Sequence, residues 1–157
     1  MYILNKEKKR LEPTDTKCQY CEVEHSSNME DNYFVPLFKE NDRTNIIVYR
    51  SVKYSKIPVG IPRCKTCVEI HQQSANKAAL QAWGIGAAIF AFFLLIGGGA
   101  IAIGLVLCIL IGLFGTGYLT TRITVNKGIF TKKQGAERNP AVQELILDGW
   151  TFTQPTA

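Results

Sequence analysis

The stretch from Ala78 to Thr121 reads AALQAWGIGAAIFAFFLLIGGGAIAIGLVLCILIGLFGTGYLTT and contains no Asp, Glu, Lys or Arg. It is roughly twice the ~20 residues an α-helix needs to cross ~30 Å of hydrocarbon. The pattern therefore predicts two transmembrane helices, over residues 78–96 and 100–120. The break falls at Gly97-Gly98-Gly99, where residues without side chains permit the positive φ angles of a tight reversal. A buried soluble hairpin is the alternative, but a chain of 157 residues has too little else to cover two helices apolar on every side.

All the charge lies outside this stretch. Of 18 Lys and Arg, 13 precede it, ending with Lys77, and five follow it, beginning with Arg122. The glycine turn has none. Cytoplasmic flanks carry the excess of Lys and Arg, so both termini are expected on the cytoplasmic side of an integral membrane protein with two spans. Tyr2-Ile3-Leu4 gives way at once to Lys6-Glu7-Lys8-Lys9-Arg10, which is not the pattern of a signal peptide. The hairpin itself is then expected to direct insertion.

Residues 1–77 contain two strand-like runs, Tyr33–Phe38 and Ile46–Tyr54, separated by the polar stretch Lys39–Asn45. This predicts a β-hairpin. In the second run Ile46, Val48, Val52 and Tyr54 alternate with Ile47, Tyr49, Ser51 and Lys53, although Arg50 interrupts the first face. In residues 122–157, Asn139 reads as an N-cap and Pro140 as the first helical position. A short helix is expected over 140–147, with an apolar stripe of Val142, Leu145 and Ile146 and a stop at Asp148-Gly149. Trp150 and Phe152 are expected to pack back onto the N-terminal domain. The fold class is thus an α+β membrane protein: a small β-rich cytoplasmic domain (1–77), a transmembrane helical hairpin (78–121) and a cytoplasmic tail (122–157).

Four of the five cysteines form two CxxC pairs, Cys18-Gln-Tyr-Cys21 and Cys64-Lys-Thr-Cys67. Each such turn aims two thiolates at one point about 2.3 Å from a Zn²⁺ ion, and two turns complete a tetrahedral shell. The arrangement resembles the zinc-ribbon and treble-clef families, in which two CxxC pairs bracket a β-hairpin. That resemblance covers residues 17–73 and rests on Cys18, Cys21, Cys64 and Cys67, with a spacer longer than the ~15–20 residues of a compact four-cysteine site. The expected cofactor is one structural Zn²⁺ per chain. Two disulfides are the reading for an oxidising compartment, and a thioredoxin-like redox pair is a third. The cytoplasmic placement and the lack of a βαβ pattern favour zinc over both.

His25 and His71 each follow a CxxC pair at the same offset. They read either as additional ligands or as groups placed around a shell that four thiolates already fill, the second being preferred. If a helix begins near Val68, the second pair sits at its start, where the macrodipole favours thiolate charge, and the helix can continue into the first span. In the second span Ala100, Gly104, Cys108, Gly112, Thr116 and Thr120 recur every four residues, a ridge of small side chains that lets helices approach closely in lipid. Its expected use is packing within the hairpin, against Gly84 and Ala88 or Ala87 and Ala91, with a homo-oligomer as the other use.

No charged side chain interrupts either span, so proton relays and ion-coupled transport lack their usual groups. No P-loop, HExxH or GxSxG motif occurs, and with only two histidines no acid–base pair stands out. No enzymatic activity and no small-molecule substrate is expected. Residues 1–77 carry 13 basic and 10 acidic side chains, too balanced for a nucleic-acid surface. The short basic runs at Lys6–Arg10 and Lys127–Lys133 suit anionic lipid headgroups equally well. The expected partners are the bilayer and either a cytoplasmic protein or further copies of the chain. The function that follows is a membrane-anchored, zinc-binding interaction or adaptor module. The alternatives are a small oligomeric effector or channel with the zinc domain as sensor, and a subunit of a larger membrane complex.

Overall fold

The structure is a computed structural model and describes residues 1–46 and 49–156. It divides into two compact units, one formed by Met1–Lys65 with Lys132–Ala157, the other by Thr66–Thr131.

The first unit is built on a four-stranded sheet: β1 (Tyr2–Asn5), β2 (Arg10–Pro13), β3 (Tyr33–Ile46) and β4 (Tyr49–Ile61), in the order β1-β2-β4-β3. β1 and β2 are antiparallel, and β2 runs parallel to β4 with Leu11 opposite Val59. The turn between β1 and β2 is fixed by Asn5, whose Oδ1 accepts from the backbone N–H groups of Glu7 and Lys8, both at 3.1 Å. β3 and β4 form a long antiparallel ladder from Tyr33↔Ile61 to Ile46↔Tyr49, with a register shift between Glu40 and Asp42. Near the base of the ladder the period-2 pattern decides burial: Val35, Leu37, Val59 and Ile61 are all buried. Farther out, Glu40–Arg43 are exposed and the ribbon is polar.

The antiparallel pair expected from sequence is present, but its strand bounds are corrected. The polar stretch Lys39–Asn45 lies within β3 and does not separate two strands. A two-stranded ribbon that leaves the core needs no apolar face, because backbone pairing satisfies its polar groups and water reaches its side chains. The positions Ile47 and Val48, part of the expected alternation, lie outside the described residues.

The C-terminal segment completes this unit with α3 (Lys132–Glu137), α4 (Pro140–Leu147) and a bridge from Thr151 to Phe38. α4 starts where its cap chemistry dictates. Asn139 Oδ1 accepts from the N–H groups of Ala141 and Val142 at 3.1 and 3.4 Å, while its Nδ2 donates to the Tyr2 hydroxyl at 2.8 Å. Of the expected stripe, Val142 is fully buried, Leu145 is half-buried and Ile146 is exposed. Gly135 packs directly on the Tyr20 ring, where a Cβ would collide with the ring carbons. Thr151 exchanges two backbone hydrogen bonds with Phe38, at 2.7 and 2.8 Å, so the tail adds a short rung to the outer edge of β3.

The second unit contains α1 (Lys65–Ile96) and α2 (Ala100–Asn126), 32 and 27 residues long. At 1.5 Å per residue they measure about 48 and 40 Å, and both are long and apolar enough to cross a membrane. The chain reverses through Gly97 and Gly98 at φ of 76° and 59°. The two helices approach through small residues: a Cβ added at Gly86 would lie 2.9 Å from the Cys108 carbonyl oxygen, and one at Gly112 would lie 2.7 Å from the Trp83 ring. Gly104 meets Phe93 and Gly115 meets Ala82 in the same way. Among the described residues nothing lies within 4 Å of a Cβ added at Gly84, and Ala87, Ala88 and Ala91 are exposed. The face of α1 that receives α2 is therefore Ala82, Trp83, Gly86 and Phe93, and not either of the alanine-glycine pairs expected from sequence. Large apolar side chains, among them Leu95, Phe92, Leu113 and Phe114, point away from the pair and are exposed.

Candidate metal centre

The first CxxC pair sits in a tight loop closed by the bridge between Lys17 and His25. The Cys18 N–H donates to the Glu24 carbonyl at 2.8 Å, and the Glu22 N–H donates to the Cys18 carbonyl at 3.0 Å. Glu22, directly after Cys21, takes a left-handed conformation with φ of 60°. The loop thus bends back on itself at a position glycine would occupy without strain. The second pair straddles the end of the sheet and the start of α1: Cys64 immediately precedes the helix and Cys67 lies in its first turn.

Backbone and side-chain bonds hold the two loops in register. The Gln19 N–H donates to the Pro62 carbonyl at 3.0 Å, joining the first loop to the strand end that leads into Cys64. Asn32 is buried, and its Oδ1 accepts from the Ser26 hydroxyl at 2.8 Å and from the Arg63 N–H at 3.3 Å. The Arg63 guanidinium donates in turn to the Asp31 carbonyl at 2.9 Å.

The four sulfur atoms of Cys18, Cys21, Cys64 and Cys67 all lie within 4.8 Å of one another, and Cys21 and Cys64 are 3.8 Å apart. A tetrahedron with metal–sulfur bonds of about 2.3 Å has edges of about 3.8 Å. Cys18, Cys64 and Cys67 are buried and Cys21 is half-buried. Burial pushes the Cys21 thiol up, but the backbone N–H groups of Glu24 and Val23, with the thiols of Cys18 and Cys64, outweigh it and hold the group below the ordinary cysteine range. Four convergent soft donors, three of them shielded from water, form a donor set that suits Zn²⁺.

Neither histidine belongs to this cluster of four. His25 is exposed, and its Nδ1 lies 3.1 Å from the Thr16 hydroxyl. His71 is buried one helical turn beyond Cys67, with Nε2 3.0 Å from the Phe130 carbonyl oxygen. Of the remaining candidate residues, Gly104, Cys108 and Gly112 lie on the face of α2 that meets α1. The Thr116 hydroxyl donates to the Gly112 carbonyl of its own helix. Contributors that the sequence alone does not reveal include Asn32, Arg63, Gln19, which acts through its backbone, and the Tyr20–Gly135 contact. The only advance sign of Asn32 is a lone asparagine at the foot of an apolar strand. The Tyr20–Gly135 pair spans a separation in sequence that no local pattern reveals.

Protein-family models, curated proteins and solved structures were all searched, and none matches this chain. The metal centre accordingly stands on its own geometry.

Proposed function

We propose that this protein is a membrane-anchored zinc protein whose cytoplasmic domain serves as an interaction or adaptor module. The observation that carries the reading is the four-cysteine cluster, one member of which, Cys67, lies in the first turn of a continuous helix of 32 residues. About 20 of those residues suffice to cross the hydrocarbon, so the first dozen, Lys65–Asn76, extend from the metal centre to the bilayer surface. The exposed apolar side chains of α1 and α2 support insertion, since their exposure to water would be costly and contact with lipid removes that cost. The bias of Lys and Arg supports a cytoplasmic placement of both termini.

In this reading zinc supplies the folding free energy that a thin core lacks. Apparent binding free energies of structural sites run to about 10–16 kcal/mol. Cys18, Cys21, Cys64 and Cys67 hold the ion, Asn32 and Arg63 keep the two loops in register, and the hairpin anchors the assembly.

The test is in-cell photocrosslinking from the exposed ribbon, for example at Asp42, with the wild type and with Cys64→Ser. A discrete partner adduct lost in Cys64→Ser supports an adaptor. Adducts only with further copies of the chain, together with ion leakage on overexpression, would favour the oligomeric effector instead.

A further inference from the structure

A cavity of about 300 Å³ in the first unit is lined by Leu4, Lys6, Lys9, Lys56, Ile57 and Trp150. Its walls are of two kinds. Leu4, Ile57 and Trp150 are apolar, and Leu4 is 51% exposed although it lies in a strand. The other three are lysines, and none of them forms an ion pair among the described residues, whose salt bridges involve Arg10, Arg43, Lys133 and Arg138. Two of the lysines belong to the β1–β2 turn that Asn5 fixes with two hydrogen bonds, so their backbone is held before any ligand arrives. The cavity also adjoins β1, an outer strand of the sheet.

We infer that this cavity binds an acidic, extended segment of a partner protein, with one apolar side chain of that segment seated against Leu4, Ile57 and Trp150. The inference rests on the adaptor reading and names the chemistry of its partner. Three ammonium groups around an apolar recess, Lys56 with its Nζ 5.8 Å from the centre of the Phe38 ring and none of the three in an ion pair among the described residues, complement carboxylates flanking an aliphatic or aromatic anchor, an arrangement that buries apolar area and places charge at the rim. A nucleic acid matches less well, because two of the three apolar walls are aliphatic and offer no stacking surface. A volume near 300 Å³ lies at the small end of ligand pockets and has room for an apolar side chain of the segment.

The experiment uses the full chain in phosphatidylcholine nanodiscs. The probe is a fluorescein-labelled decapeptide of glutamate and aspartate with one central leucine, read by anisotropy. Saturable binding is expected, weakened about tenfold or more by Lys6→Glu, Lys9→Glu and Lys56→Glu together, since three rim charges are reversed at once. Leu4→Asp, or serine in place of the peptide's leucine, is expected to weaken it comparably. Retained metal content shows that the variants are folded. Absence of saturable binding, binding indifferent to the lysines, or displacement of the peptide by single-stranded RNA or phosphatidylserine vesicles acting through the same lysines overturns the inference. A partner adduct that requires Cys64 yet survives the three lysine substitutions also overturns it, and leaves the adaptor reading intact.

Discussion

Cys64 is fully buried, 3.8 Å from Cys21 and at the junction between the sheet and α1. Removing its thiolate leaves three ligands and takes away much of the free energy that metal binding contributes to folding. Cys64→Ser should therefore unfold the N-terminal domain while leaving the hairpin inserted. Limited proteolysis in membranes checks this, and resistance of residues 1–70 equal to wild type would refute it. Glu22 offers the opposite kind of change. Its left-handed backbone costs a residue with a Cβ about 1 kcal/mol, whereas its side chain makes an exposed 3.8 Å pair with Arg138. Glu22→Gly should leave the domain as stable as wild type or more so, by up to about 1 kcal/mol, measured by thermal melting of the metal-loaded protein. The four cysteines were legible because a metal-binding loop writes two ligands three residues apart. Asn32 was not, since its role depends on Ser26 and Arg63 arriving from different parts of the chain.

Among the elements, α4 was legible to the residue because its start depends on local chemistry, the Asn139 cap followed by Pro140. Asn139→Ala removes both the cap and the bond to the Tyr2 hydroxyl and should cost about 1–2 kcal/mol, read from denaturant unfolding of the first unit. The strands β1 and β2 were not legible, since four residues each, one of them rich in charge, give no periodicity to count. α3 was missed for a similar reason: six residues with two lysines and a glycine carry no apolar stripe. In the hairpin the spacing of small residues identified the face of α2 but not the face of α1, because α1 carries small residues on more than one side. Gly86→Leu should disrupt helix packing, while Gly84→Leu, facing open space, should be tolerated. Resistance of the hairpin to unfolding in mixed detergent with rising dodecyl sulfate separates the two. Equal effects would mean that the helices pack through a different face.

For the molecule as a whole, two independent lines of physics meet at one claim. The charge-free stretch argues for a hairpin in lipid whose positive flanks lie in the cytosol, where thiols stay reduced. The cysteine cluster argues for four thiolates around a metal, which requires reduced thiols. The most direct test is metal content per chain by elemental analysis of the detergent-purified 157-residue chain, with thiols counted in parallel after denaturation and chelation. One zinc and five free thiols per chain is the predicted result. No metal, with four cysteines oxidised, would contradict both the zinc site and the cytoplasmic placement of the domain.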